Sequence, residues 1–259
     1  MKWFDFFRNW TDLLTNFLVD YCVDLLCTIH SPDAYRSYSD LTPILFGLSE
    51  NFTPNIVKLL ISEILAHNFS VLPILHSGHF TVAFVDAIRK EFIYLDSKGT
   101  NSSTEMLEIL LNKLHNFSQS SIKFFEALTP KNIKINFQND GVHCGIHVLY
   151  NVEHILSKRD IHDPQFDPIS ERKRMLQMIL HNSNDIQNMC VGCGIIETES
   201  SVNSTWNNAS KTDWLCCDYC NRWWHSKCQK KVTGTDVHTE QSNFLCLMCR
   251  NIDYSCIDF

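Results

Sequence analysis

A chain of 259 residues with 44% hydrophobic side chains can bury one ordinary core and carry a second, smaller unit that needs another source of stability. Its formal charge of -7 and pI near 5.9 provide no basic face for neutralising phosphates, so the expected partner is protein and direct nucleic-acid binding is not expected. The longest apolar stretch, 69–85, is interrupted by His76, Ser77, Gly78 and His79, which excludes a helical membrane span on sequence grounds.

The first expected element is an amphipathic helix over Trp10–Cys27, where Leu13, Leu14, Phe17, Leu18, Tyr21 and Leu25 recur at steps of three and four. A second spans Pro54–His67 after Thr53 as a candidate N-cap. Short runs rich in Val, Ile, Phe or Tyr follow at Ser70–Leu75, Phe80–Asp86 and Glu91–Asp96, which predict strands, the last two joined as a hairpin. Helical spacing returns over Thr104–Phe117, and Ile122–Phe125 and Ile133–Phe137 read as two further strands. Helices are expected at Cys144–Leu156 and Glu171–His181, a polar linker at 184–189, and a Ser/Asn/Thr loop at Glu197–Thr212. Helix and strand mix without repeats, which points to an α+β or α/β domain.

Nine of the twelve cysteines lie beyond residue 189, an asymmetry that favours metal over a disulfide framework. The opening residues, MKWFDFFRNW, place acids and aromatics where a secretory signal has a smooth apolar run. Reduced thiols in the nucleus or cytoplasm, not secretion, are therefore expected. Cys190/Cys193, Cys217/Cys220 and Cys246/Cys249 are Cys-x-x-Cys pairs, and His225-Ser-Lys-Cys228 adds a mixed pair. Such turns bring two donors to one tetrahedral ion at ~2.0–2.3 Å with little backbone strain, so eight ligands make two four-coordinate Zn2+ sites. A unit this small has too little core to stand without metal.

The order of four Cys, one His and three Cys, with Trp214-Leu-Cys-Cys217-Asp-Tyr-Cys220-Asn-Arg-Trp223-Trp224-His225, resembles the PHD finger. The resemblance implies interleaved sites: Cys190, Cys193, His225 and Cys228 on one ion, Cys217, Cys220, Cys246 and Cys249 on the other. Cys217 is preferred to Cys216 because it alone has the two-residue spacing to Cys220, leaving Cys216 and Cys256 outside the ligand set. PHD fingers often bind histone tails, and Trp214 and Trp223 match positions that line methyl-lysine cages in some members and pack the fold in others.

Cys144 follows the turn Asn139-Asp140-Gly141 and opens a helical run, and a helix N-terminus favours thiolate, the nucleophilic form. His79 begins one strand and Asp96 ends the next, a placement that supplies a base and its orienting carboxylate. The blocks His79-Phe80-Thr-Val-Ala-Phe-Val-Asp86, Tyr94-Leu-Asp96-Ser97 and Gln138-Asn-Asp-Gly-Val-His143-Cys144-Gly145 resemble the ubiquitin-like-protein-specific proteases, the SUMO-protease family. That family reads His-Trp-x-x-x-x-x-Asp, Tyr-x-Asp-Ser and Gln-x-Asn-x-x-Asp-Cys-Gly.

The resemblance implies a papain-like/adenain-like cysteine protease fold of the α+β class over 1–183 and the cross-braced two-zinc finger over 190–252. It casts Cys144 as nucleophile, His79 as general base then acid, Asp96 as orienter, and Gln138 with the Cys144 N–H as oxyanion donors. Trp10 and Phe80 are placed to line a tunnel for a Gly-Gly tail. Phe80 stands where the family has Trp, and His143 where it has Asp. The implied activity is cleavage of a ubiquitin-like modifier or a polyprotein, with the finger docking protein or a histone tail. The alternatives are acetyl transfer on the same triad, a mobile-element processing protease, and a chromatin-binding adaptor whose protease fold is degenerate.

Overall fold

The computed structural model describes residues 13–49, 54–114, 119–182, 190, 214–218, 222–233 and 244–246. Contacts divide the chain into two compact units, Thr11–Glu171 and one that takes in the described residues from Arg172 onward. The expected linker at 184–189 and the loop at 197–212 lie outside the described residues.

In the first unit, helix α1 (Asn16–His30) leads to strand β1 (Tyr35–Arg36), a 3-10 turn at Thr42–Phe46 and helix α2 (Pro54–Ala66). Strands β2 (Phe69–His76), β3 (His79–Asp86) and β4 (Glu91–Leu95) follow, then helices α3 (Ser103–Leu114) and α4 (Gln119–Glu126), strand β5 (Thr129–Pro130) and helix α5 (Cys144–Leu156). The five strands form one sheet in sequence order, antiparallel across β2–β3–β4 and parallel at both edges. The architecture is mixed α+β, as expected.

The β2–β3 hairpin turns on Ser77 (φ 49°) and Gly78 (φ 74°), the two positive-φ positions that a two-residue turn matched to strand twist requires. It pairs His76 with His79 and so starts β3 at His79. Pro73 interrupts no ladder on the β1 side, because β1 pairs only with Ser70 and Val71. One face of the sheet, through Leu72, Ile74, Ala83, Val85, Phe92 and Tyr94, packs on Leu60, Ile61 and Ile64 of α2 and on Met106, Leu107 and Leu110 of α3. On the other side α5 lies against β3 and α1. Both faces being covered explains why these strands read as continuous apolar runs rather than alternating ones.

Three expectations are corrected. Ile122–Phe125 lies in α4, not a strand; buried Ser121, Phe125 and Leu128 sit at spacings of four and three, a helical stripe that a four-residue window conceals. Ile133–Phe137 forms no strand either, because the ladder partner of β4 is the two-residue β5 instead. The first helix starts at Asn16, after Thr15 in an extended N-cap conformation (ψ 155°), so Leu13 and Leu14 precede it. Among the described residues no helix is long and apolar enough to cross a membrane.

In the second unit the division falls within helix α6 (Pro168–Asn182), and strands β6 (Trp214–Cys216) and β7 (Trp223–His225) form an antiparallel pair ahead of helix α7 (Ser226–Thr233).

Candidate active site

Antiparallel pairing of β3 with β4, in register at Val82 and Leu95, brings the start of one strand beside the end of the other. His79 and Asp96 meet there: the imidazole Nε2 lies 2.7 Å from Asp96 Oδ1. Asp96 also accepts the Lys98 and Thr100 backbone N–H groups, each at 2.9 Å, and the Thr100 hydroxyl. The carboxylate is thus held by the turn that follows it, with its side chain only 1% exposed. Burial pushes its pKa up, but the His79, Thr100 and Lys98 donors outweigh that and hold it well below the carboxylate range.

The other His79 nitrogen, Nδ1, is buried, and His79 interacts with the Cys144 thiol at the N-terminus of α5. The Asp96 hydrogen bond, then that to Cys144, raise His79 to about 9 against the opposing effect of burial. Burial raises the Cys144 thiol, but His79 and the backbone N–H groups of Phe80 and Gly145 overcome it and bring the pKa below its ordinary 9.0. The two shifts run in the directions that favour a thiolate beside an imidazolium. Cys22 and Cys27, buried without such donors, are driven the other way.

These directions have a measurable consequence. The thiolate absorbance that Cys144→Ala removes is expected to titrate below 9.0, and kcat/KM to fall as pH rises through about 9, where His79 loses its proton. A Cys144 midpoint at or above 9.0 would mean that no ion pair forms.

Cys144 is 1% exposed, at the bottom of the site. A Cβ on the following Gly145 would stand 3.1 Å from Leu14 Cδ1 and 3.2 Å from Val19 Cγ2, so α1 and the residues before it press directly on the nucleophile's helix. Any larger residue there would require Leu14 and Val19 to give way by a few tenths of an ångström. One turn further on, the His147 ring packs at a tilt against Phe166 with centroids 4.8 Å apart, and burial lowers its pKa to about 4. It stays neutral near pH 7.

Gln138 joins the cluster through Ser97, the residue after Asp96. Its backbone N–H donates to Ser97 O at 2.8 Å, and its side-chain Oε1 accepts from Ser97 Oγ at 3.0 Å. Its amide nitrogen donates to Asp140 Oδ1 at 3.1 Å. Asp140 and Ser97 carried no role in the sequence reading. A signal existed for Asp140, since this chain has Asp at 140 and His at 143 where the family pattern has Asn and Asp.

Of the tunnel candidates, Phe80 is 3% exposed and Trp10 lies outside the described residues. In the second unit Trp214 and Trp223 stand edge to face at 6.4 Å, with Trp223 38% exposed. Of the eight expected zinc ligands, Cys193, Cys220 and Cys249 lie outside the described residues, as does the side chain of Cys228. Among the described residues no three His, Cys, Asp or Glu side chains gather as a metal site, and no described cysteine is in a disulfide.

No protein-family model matches the chain, and no curated protein matches it. Solved structures do. The chain is similar to the SUMO protease Ulp1 with its catalytic cysteine oxidised to a sulfenic acid, at a TM-score of 0.51 and 18% identity over 65% of this chain and 77% of that one. It is also similar to the C-terminal Ulp1 protease domain solved in complex with Smt3, the yeast ortholog of SUMO, at 0.51 and 16% over 64% and 76%. The chain shares the mixed α+β fold of the Ulp1 catalytic domain.

Proposed function

We propose that this chain is a cysteine peptidase that cleaves ubiquitin-like modifiers, with SUMO-like proteins as the favoured substrate class. The observation that carries the reading is the Asp96–His79–Cys144 arrangement, in which a helix-terminal thiol is lowered and its imidazole partner raised on an Ulp1-like fold. The Cys144 thiolate attacks the scissile carbonyl, forming a C–S bond as the carbonyl electrons move onto oxygen. His79 gives its proton to the leaving amine as the C–N bond breaks, then takes one from the water that hydrolyses the thioester. Gln138 and the Cys144 N–H are the oxyanion donors. A nucleophile this deeply buried favours a slim extended tail such as Gly-Gly over a bulky side chain.

The second unit is proposed as a two-zinc finger of the PHD type that docks the enzyme on another protein, a histone tail among the candidates. Two contacts support the interleaved ligand sets. The His225 N–H donates to Cys190 Sγ at 3.1 Å, and the Cys246 N–H donates to Cys217 Sγ at 3.3 Å. Each joins members of one proposed site, and N–H donors on a buried sulfur favour the thiolate that zinc requires. Cys217 is also fully buried whereas Cys216 is not.

Incubating the full chain with a panel of SUMO and ubiquitin precursors tests the activity. Release of the C-terminal extension is expected from at least one SUMO-like precursor, and none with Cys144→Ala. No release from any precursor, or equal release by the variant, returns the chain to the adaptor reading, in which only the finger works.

A further inference from the structure

We propose that Asp140 and His143 act together as positioning residues for the oxyanion donor, holding the Gln138 amide in one orientation and setting the turn that presents Cys144. The inference rests on the peptidase reading above and adds residues that the triad does not include. Asp140 Oδ1 accepts the Gln138 Nε2–H at 3.1 Å, the Val142 N–H at 2.8 Å and the His143 N–H at 2.9 Å. Asp140 Oδ2 lies 2.8 Å from Nδ1 of His143, whose side chain is 7% exposed. A single carboxylate therefore ties the oxyanion donor to the two residues immediately ahead of the nucleophile.

The chemistry of the groups explains why a carboxylate belongs there. A side-chain amide has two ends of similar size and opposite polarity, and an oxyanion is stabilised only by the NH2 end. An ionised carboxylate accepts and never donates, so it turns the Gln138 NH2 toward itself and toward the reacting carbonyl. The Ser97 hydroxyl closes the clamp from the other side by donating to Oε1. One Nε2 proton is spent on Asp140 and the second remains for the substrate. The cost of a negative charge near a developing oxyanion is offset by the ring and backbone donors of His143 and Val142, which occupy the same carboxylate.

His143 supplies the ring contact, and that accounts for the paired departure from Gln-x-Asn-x-x-Asp-Cys-Gly. With an Asp ahead of the cysteine, an Asn at 140 would have an NH2 to give that Asp and an oxygen to accept from Gln138. Here the roles are exchanged: Asp140 holds Gln138, and His143 holds Asp140.

A double-substitution cycle on the full chain tests this. Asp140→Asn leaves a side chain that can also donate, so Gln138 is free to turn its oxygen toward the oxyanion. His143→Asp sets two carboxylates against each other. Each single change is expected to lower kcat roughly ten- to a hundredfold with KM within about twofold, the scale of a slightly misplaced catalytic group. Combining Asp140→Asn with His143→Asp is expected to recover most of the loss. The Cys144 thiolate titration should be unmoved in Asp140→Asn, because His79, Phe80 and Gly145 hold the sulfur.

An undiminished kcat in Asp140→Asn, or a double variant no better than the product of the singles, overturns the proposal. If a variant unfolds, Ser97→Ala reads the clamp from its other end, with the same kcat loss at constant KM expected and an unchanged kcat counting against it. Failure of the underlying activity looks different: the wild-type chain itself would then show no Cys144-dependent cleavage.

Discussion

Replacing Asp96 with Asn is expected to lower kcat by about 10³- to 10⁴-fold, a loss of the size seen when the orienting carboxylate of such a triad is neutralised. The amide presents a donor where His79 Nε2 needs an acceptor, and the Lys98 and Thr100 N–H groups compete for its single oxygen. The imidazole then loses both its tautomer and its charge. The raised pKa of His79, about 9, owes most to Asp96, so the alkaline limb of kcat/KM should move down toward the ordinary 6.5. A variant that keeps more than a tenth of the activity, or an alkaline limb that stays in place, would show that the carboxylate does not orient the base.

The same pair shapes stability against pH. His79 has a raised pKa, so its contribution to folding is complete below 6.5 and is lost as pH rises through about 9. Asp96 has a depressed pKa, so its contribution is present above 3.8 and is lost as pH falls through the lowered value. Both are in force together from about pH 4 to 6.5. In Asp96→Asn the Tm profile should flatten on both flanks.

Chelating zinc is expected to unfold the β6–β7 hairpin. Structural zinc contributes about 10–16 kcal/mol in isolated fingers, more than a unit of this size can replace. Freshly prepared protein should carry two zinc ions per chain, the number that eight ligands hold. On chelation the amides of Leu215 and Trp224, both buried in the hairpin, should exchange at the rate of an open chain. Their continued protection without metal, or a chain that carries no zinc when prepared without chelators, would remove the finger from the account. Cys190→Ala and Cys217→Ala strike different ions if the sites interleave, so each should disturb a different half of the cobalt-substituted spectrum.

The chemistry of the proposed active site was legible in the sequence because the triad sits at element boundaries that local signals mark. The Ser77-Gly78 turn dictates where β3 begins and hence where His79 stands. The break after Leu95 places Asp96, and the turn at 139–141 starts α5 at Cys144. The alternation of long helices with apolar strands likewise announced an α+β unit. Short elements escaped, since β1 and β5 span two residues each and owe their existence to neighbouring strands rather than to their own composition. Ile122–Phe125 misled because three apolar residues in a window of four fit either period, and only the packing of Phe125 into the core selects the helix.

What the sequence determined by itself was therefore the set of candidate reacting groups, their order along the chain and the strand ends that carry them. Tertiary structure decided their state: which nitrogen of His79 meets Asp96, how far burial is outweighed at Cys144, and that Asp140 closes on both Gln138 and His143. The physical reason is one of range. Turn and helix signals act over a few residues, whereas a pKa or an amide orientation depends on donors brought together from segments tens of residues apart, such as Ser97 and Gln138, and that proximity exists only in the folded chain.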